Sequence, residues 1–206
     1  LFHDGSAAGC RYRDPVQNSL FIDIGAGTTD ICRVQGYYPG ADDCVSIHVG
    51  GNSVDERIGK GIRDKYPDAK FSPEQITAIK EQHSFVHGAE KKVTISHMVK
   101  GRKHALDITD VVRAHCEWLL DESIKGARKL IETTSADSVE DLLQNIILTG
   151  GGSQIPGSEE YVESKLKAEG FLAKVKKAKD YKTVVARGAL AMAVRVKDEQ
   201  WSIPIG

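Results

Sequence analysis

The stretch Phe21-Ile22-Asp23-Ile24-Gly25-Ala26-Gly27-Thr28-Thr29-Asp30-Ile31 constrains the fold most tightly. An apolar run ends on an Asp and a tight Gly-Ala-Gly turn; two Thr, a second Asp and a second apolar run follow. That pattern predicts strand, turn and strand, with the polar atoms gathered at the turn. Such a turn can aim several backbone N–H groups and two hydroxyls at one point, which suits a phosphate group. Asp23, near the end of the first strand, is placed to hold a magnesium-bound water beside it. A dinucleotide fingerprint would need a third Gly opening a helix, and a P-loop would need Gly-Lys-Ser/Thr. Here Thr29-Asp30-Ile31-Cys32-Arg33-Val34 continues as strand. An ordinary glycine-turn hairpin is the alternative on this stretch alone.

The 206 residues suffice for one domain, or one with a sizeable insertion, around a real core. A net charge of −1 leaves no global basic field to attract nucleic acid or an anionic membrane. No apolar run approaches the roughly 20 residues that span a bilayer, so no direct membrane insertion is expected. Leu1-Phe2-His3-Asp4 lacks the basic start and apolar core of a signal peptide. Cys10, Cys32, Cys44 and Cys116 are scattered without a CxxC and read as reduced thiols of a cytosolic protein. The histidines lack zinc spacing.

Residues 1–18 show no sustained period and read as loop. Strands at Ser19–Ile24 and Thr28–Val34 flank the turn, and the alternating Cys44–Val49 completes a three-stranded antiparallel meander. Gly50-Gly51-Asn52-Ser53 then starts a helix with Val54, Ile58 and Ile62 on one face. The two glycines would let backbone approach a ligand, or simply turn a corner. Ser72-Pro73-Glu74 opens a helix towards Glu81 or Val86, with Lys80 and Glu81 near its end. Lys91–His97 and Lys103–Asp107 read as an exposed basic hairpin, without the interleaved aromatics of a nucleic-acid surface. Thr109-Asp110 is expected to cap the longest helix, Val111–Glu132, and the polar residues Ser135–Asp141 to separate it from the next strand. That strand, Asn145–Thr149, ends in Gly150-Gly151-Gly152-Ser153 and feeds a helix at Glu159–Ala168. The glycines form either a ligand platform or a flexible connection. A short strand at Leu172–Val175, a lysine run and a helix at Thr183–Val196 follow.

The turn Asp23-Ile24-Gly25-Ala26-Gly27-Thr28-Thr29-Asp30, the turn Gly150-Gly151-Gly152-Ser153 and the helix Ala186-Arg187-Gly188-Ala189, in that order, resemble the actin/Hsp70 ATPase superfamily and, within it, the bacterial actins. Val54-Asp55-Glu56-Arg57, Lys80-Glu81-Gln82 with Ser84-Phe85-Val86, and Leu143-Gln144-Asn145-Ile146 are most similar to the MamK-like branch of magnetosome filament proteins. The MreB-like cell-shape branch is more distant. The resemblance covers about residues 19–196. It implies an α/β, ribonuclease H-like lobe: a mixed sheet flanked by helices, with its core at 19–51 and 108–197. A small α+β subdomain would be inserted at 52–107, leaving 1–18 unassigned and 198–206 as a tail.

The resemblance further implies ATP and Mg2+ as ligands. Asp23 would be the catalytic residue, an acidic side chain that organises magnesium and the attacking water. Gly25, Gly27, Thr28 and Thr29 would hold the phosphates, Gly50 and Gly51 would line the cleft with Asp55 nearby, and Lys80 and Glu81 would contact adenosine. Gly150, Gly151, Gly152 and Ser153 would form the other side of that pocket, and Gly188 would pack the hinge helix. The family's first lobe supplies a second phosphate hairpin, a second metal-organising Asp and the residue that positions water. No second such hairpin occurs here and nothing precedes Ser19 that is long enough for that lobe, so the expectation is a second half only. It implies a cytoplasmic, cytoskeletal protein that self-associates into filaments, with magnetosome alignment as its role. The alternative is a non-catalytic half that binds a full-length relative; a sugar or acetate kinase lobe fits less well, for want of a substrate motif.

Overall fold

The computed structural model describes residues 18–36, 39–87 and 91–194. The expectations for the first seventeen residues and for the tail at 198–206 lie outside them. The Asp23 stretch forms the predicted hairpin. β1 (Asn18–Ile24) pairs antiparallel with β2 (Thr29–Gln35), Asp23 opposite Asp30 and Ile24 opposite Thr29. A 3-10 turn at Ala41–Asp43 leads into β3 (Cys44–Ile47), which pairs with β2 and completes the meander. The third strand stops at Ile47, two residues short of expectation, because Val49 turns its carbonyl to the Thr29 hydroxyl.

Helix α1 (Gly51–Lys65) buries Val54, Ile58 and Ile62, the spacing legible in the sequence. In α2 (Pro73–His83) Ser72 and Gln75 close a reciprocal cap, and the helix ends before Val86. β4 (Thr94–Val99) and β5 (Arg102–Asp107) form a separate two-stranded sheet whose Ile95, Val99 and Leu106 reach the main core. The long helix α3 (Thr109–Glu132) has Ile108 at its cap position. Thr109, expected as the cap, instead donates its hydroxyl and N–H to Asp107 Oδ1, at 2.6 and 3.0 Å.

Two further elements differ from the sequence pattern. Residues 135–141 are not a mere separator: α4 (Ala136–Gln144) buries Leu142 and Leu143 against the sheet. Its acidic surface hid a narrow apolar stripe. The short strand after α5 (Ser158–Ala168) is not at 172–175 but is β7 (Val175–Lys177), inside the lysine run. Gly170, at φ +92°, turns the chain and Phe171 packs inward; Leu172 is left exposed, and Lys174 donates its N–H to Leu143 O before pairing begins. α6 (Val184–Ala193) closes the described chain.

β6 (Ile146–Thr149) pairs parallel with both β1 and β7, giving one sheet of order β3-β2-β1-β6-β7. It is the expected mixed sheet. Leu20, Ile22, Ile24 and Ile31 face the main core with α1 and α3, while Phe21 and Ile147 sit in a smaller cluster on the opposite face. The chain leaves β1 towards β2 on one side and returns as β6 on the other. Such a reversal of strand order opens a crevice beyond the carboxyl ends of the two parallel strands.

Candidate functional site

Around those strand ends the structure brings the turn at 25–28, the start of α1, Lys80 and the Gly150 turn into contact. Asp23 and Thr149 are register partners at the ends of β1 and β6, so the turn at 25–28 and the glycines from Gly150 emerge side by side. Gly150 stands at φ +76°, ψ 175°, a conformation open essentially to glycine alone. A Cβ there would lie 2.3 Å from Asp23 Oδ1 and 2.5 Å from Ile24 O. The two turns are in contact, and Gly150 makes the contact possible.

The turn itself is oriented by α1. Gly51 N–H donates to Gly25 O at 3.0 Å, and Asn52 N–H donates to Ala26 O at 2.8 Å. A trans peptide holds its C=O and N–H in opposite directions. With the carbonyls of Gly25 and Ala26 drawn to the helix, the N–H groups of Ala26 and Gly27 point the other way, out of the fold. Gly50 permits this packing, since a Cβ there would lie 2.6 Å from Ala26 O. Gly25 N–H closes the turn on Thr28 O at 2.9 Å.

The hydroxyls divide. Thr28 Oγ1 lies at the turn and donates to Asp30 Oδ2 at 3.0 Å. Thr29 is fully buried and donates to Val49 O at 2.8 Å, which ties β3 to the turn rather than presenting a hydroxyl. Ser153 is likewise buried, its hydroxyl spent on Gly150 O at 2.7 Å. Gly151 is exposed.

Asp23 and Asp30 face each other across the β1–β2 register. Partial burial, and then the charge of Asp30, push the Asp23 carboxyl above the usual carboxylate range. The buried hydroxyl of Thr149 has no protein partner. Asp30 and Thr149 were not among the residues expected at the site. Asp30 was legible as the mirror of Asp23 across the turn, whereas Thr149 enters only through the pairing of β1 with β6. Two facing carboxylates suit a hydrated divalent cation. Among the described residues no cluster of His, Cys, Asp and Glu forms a direct metal cage.

Lys80 and Asp55 come together with α1. Lys80 Nζ donates to Asp55 Oδ2 at 2.8 Å and to Gly51 O at 3.0 Å, and Thr77 Oγ1 donates to the same carboxylate oxygen. Both ion-pair side chains are 17 % exposed. The pair therefore pins α2 to the start of α1, which holds the turn; Glu81, beside it, is exposed. Lys80→Met should cost about 2 kcal/mol in urea unfolding, because Asp55 already has one buried oxygen without a partner. With Asp55→Asn added, the loss should be smaller than the sum of the two single losses. Additive losses would show that the pair is not coupled.

The MreB/Mbl protein family matches residues 7–200. The actin-like protein MamK of Magnetospirillum gryphiswaldense is 35% identical over 188 residues, which is 91% of this chain and 52% of MamK. The chain thus spans about half the length of the curated relatives it matches. A solved MamK double helical filament superimposes with a TM-score of 0.81 at 35% identity, over 87% of this chain and 55% of that one. A non-polymerising MamK mutant bound to AMPPNP gives 0.79 at 35% identity, over 88% and 56%.

Proposed function

The chain belongs to the MreB/Mbl family, and from that membership we propose that it is the nucleotide-binding second lobe of an ATP-dependent, actin-like filament protein. The observation that carries the reading is the outward turn of the Ala26 and Gly27 N–H groups, forced by the bonds from Gly51 and Asn52 to the preceding carbonyls. Those two donors, with the Thr28 hydroxyl, would bind the β- and γ-phosphates. Gly25 shapes the turn through its bond to Thr28 O. Thr29 and Ser153 act behind the surface, by fixing β3 and the Gly150 turn. Gly50 and Gly51 line the cleft as the joint between turn and helix.

Asp23 and Asp30 would hold the hydration shell of a magnesium ion. When bound, that ion neutralises phosphate charge and orders water. Asp23 would orient the attacking water, its raised pKa falling as the cation binds. Gly150, Gly151 and Gly152 would offer flat backbone to the nucleoside, and Glu81 a carboxylate to the ribose. Lys80 would act mainly through its hold on Asp55 and Gly51. Residues 52–107 would form the inserted subdomain that supplies Lys80 and Glu81. Self-association into filaments, and magnetosome alignment as their role, are supported by the likeness to MamK.

Titration calorimetry with AMPPNP and magnesium on this chain tests the binding step. Weak binding with negligible hydrolysis is expected, because the lobe offers one wall of a two-walled cleft. Asp23→Asn should weaken the magnesium dependence at least tenfold while leaving the fold intact. Binding that is indifferent to magnesium and to this substitution would overturn the assignment.

A further inference from the structure

Cys32 and Cys44 form no local sequence motif, yet they are direct register partners across β2 and β3. Their sulfurs are 3.5 Å apart. We propose that this thiol pair is a redox modification site, which closes to a reversible Cys32–Cys44 disulfide at the edge of the sheet. Directly opposed antiparallel residues have Cα atoms about 4.5–5.5 Å apart, inside the window that a disulfide spans. The neighbouring residues hold the register. Arg33 and Asp43 form a buried ion pair at 2.7 Å on the α3 side of the sheet, so Cys32 and Cys44 are presented together on the other side.

The two sulfurs differ in access. β3 is the edge strand and Cys44 is exposed on it, whereas Cys32 is fully buried. Burial, followed by the contact with Cys44, holds Cys32 as the neutral thiol. Cys44 is therefore the attacking group. Its thiolate displaces one thiolate from a small disulfide such as oxidised glutathione and forms a mixed disulfide. Cys32 then gives up its proton and attacks Cys44 Sγ, releasing the second glutathione as a thiol. Two protein thiols are oxidised and one small disulfide is reduced to two thiols. The product bond would clamp the start of β3, at the end of the strand away from Val49 and the turn.

The test uses the full chain, reduced, desalted and incubated with oxidised glutathione, then digested with trypsin without reductant. The expected product links the peptides Asp14–Arg33 and Val34–Arg57, retains no glutathione and reverts with dithiothreitol. In Cys32→Ser, glutathione should remain on Cys44 as a stable adduct. In Cys44→Ser, an exposed change that leaves the core untouched, Cys32 should stay free. A stable glutathione adduct on Cys44 in the unsubstituted chain, or Cys44 linked to Cys10 or to a second chain, would overturn the proposal.

Discussion

Replacing Gly150 by alanine is expected to destabilise the fold by about 4 kcal/mol and to abolish the proposed nucleotide binding, while Gly151→Ala changes stability by less than about 0.5 kcal/mol. Two effects add at Gly150. Its φ of +76° with ψ 175° lies where an L side chain costs roughly 1–3 kcal/mol. The added methyl would also meet the Asp23 carboxylate at 2.3 Å and the Ile24 carbonyl at 2.5 Å, and the carbonyl is backbone that cannot retreat without disturbing the end of β1. Overpacking of that kind costs roughly a further 1–3 kcal/mol. At Gly151 a Cβ would meet nothing within 4 Å. Urea unfolding of the two variants, beside calorimetry with AMPPNP, separates the position from the residue type. Equal behaviour of the two would refute the claim that the Gly150 contact builds the crevice.

Arg33→Met should cost a similar amount, about 3–5 kcal/mol, for an electrostatic reason. The Arg33 guanidinium donates to Asp43 Oδ1 at 2.7 and 2.9 Å, to Leu130 O at 3.1 Å, and to the hydroxyls of Thr133 and Thr134. It thereby fastens the far end of α3 to the β2–β3 edge. Both ion-pair side chains are only 10 % exposed, so the variant strands a buried carboxylate. Burial alone would raise the Asp43 pKa. The bonds from Arg33 and from Gly40 N–H, with the Arg33 charge, outweigh burial and hold it below the usual range. A folded pKa below the unfolded one means that this stabilisation is complete above about pH 4 and fades as pH falls through the lower, folded value. The gap between the natural chain and Arg33→Met should therefore narrow on acidification. Arg33→Met with Asp43→Leu should recover much of the loss, since no charge is then left unpaired. A gap that is constant with pH would show that packing, not the ion pair, carries the effect.

What could be read from the residues was local in origin. The hairpin of β1 and β2 is built from one continuous stretch, so its strands, turn and the opposed Asp23 and Asp30 follow from alternation and turn chemistry. The stripe of α1 repeats over several turns and showed through in the same way. The motifs also led to the family, to the mixed sheet and to the glycine turns that the crevice brings together. Local pattern failed where a residue's neighbours belong to other elements. The two buried leucines of α4 are outvoted by its acids until the sheet covers them. The lysines of β7 look solvated, yet their backbone completes the sheet beside β6. Thr29 and Ser153 carry the residue type of a ligand-binding group, but the tertiary packing turns both hydroxyls inward.

Turn geometry and hydrophobic period act over a few residues, so most of the elements and the chemistry at their ends could be read locally, but not α4 or the position of β7. That β6 lies parallel to β1, and so sets Thr149 and Gly150 beside Asp23, follows from long-range packing. It also set Lys80 on Asp55 and Cys32 against Cys44. Those pairings rest on burying apolar faces that lie far apart along the chain, and that free energy belongs to no single segment.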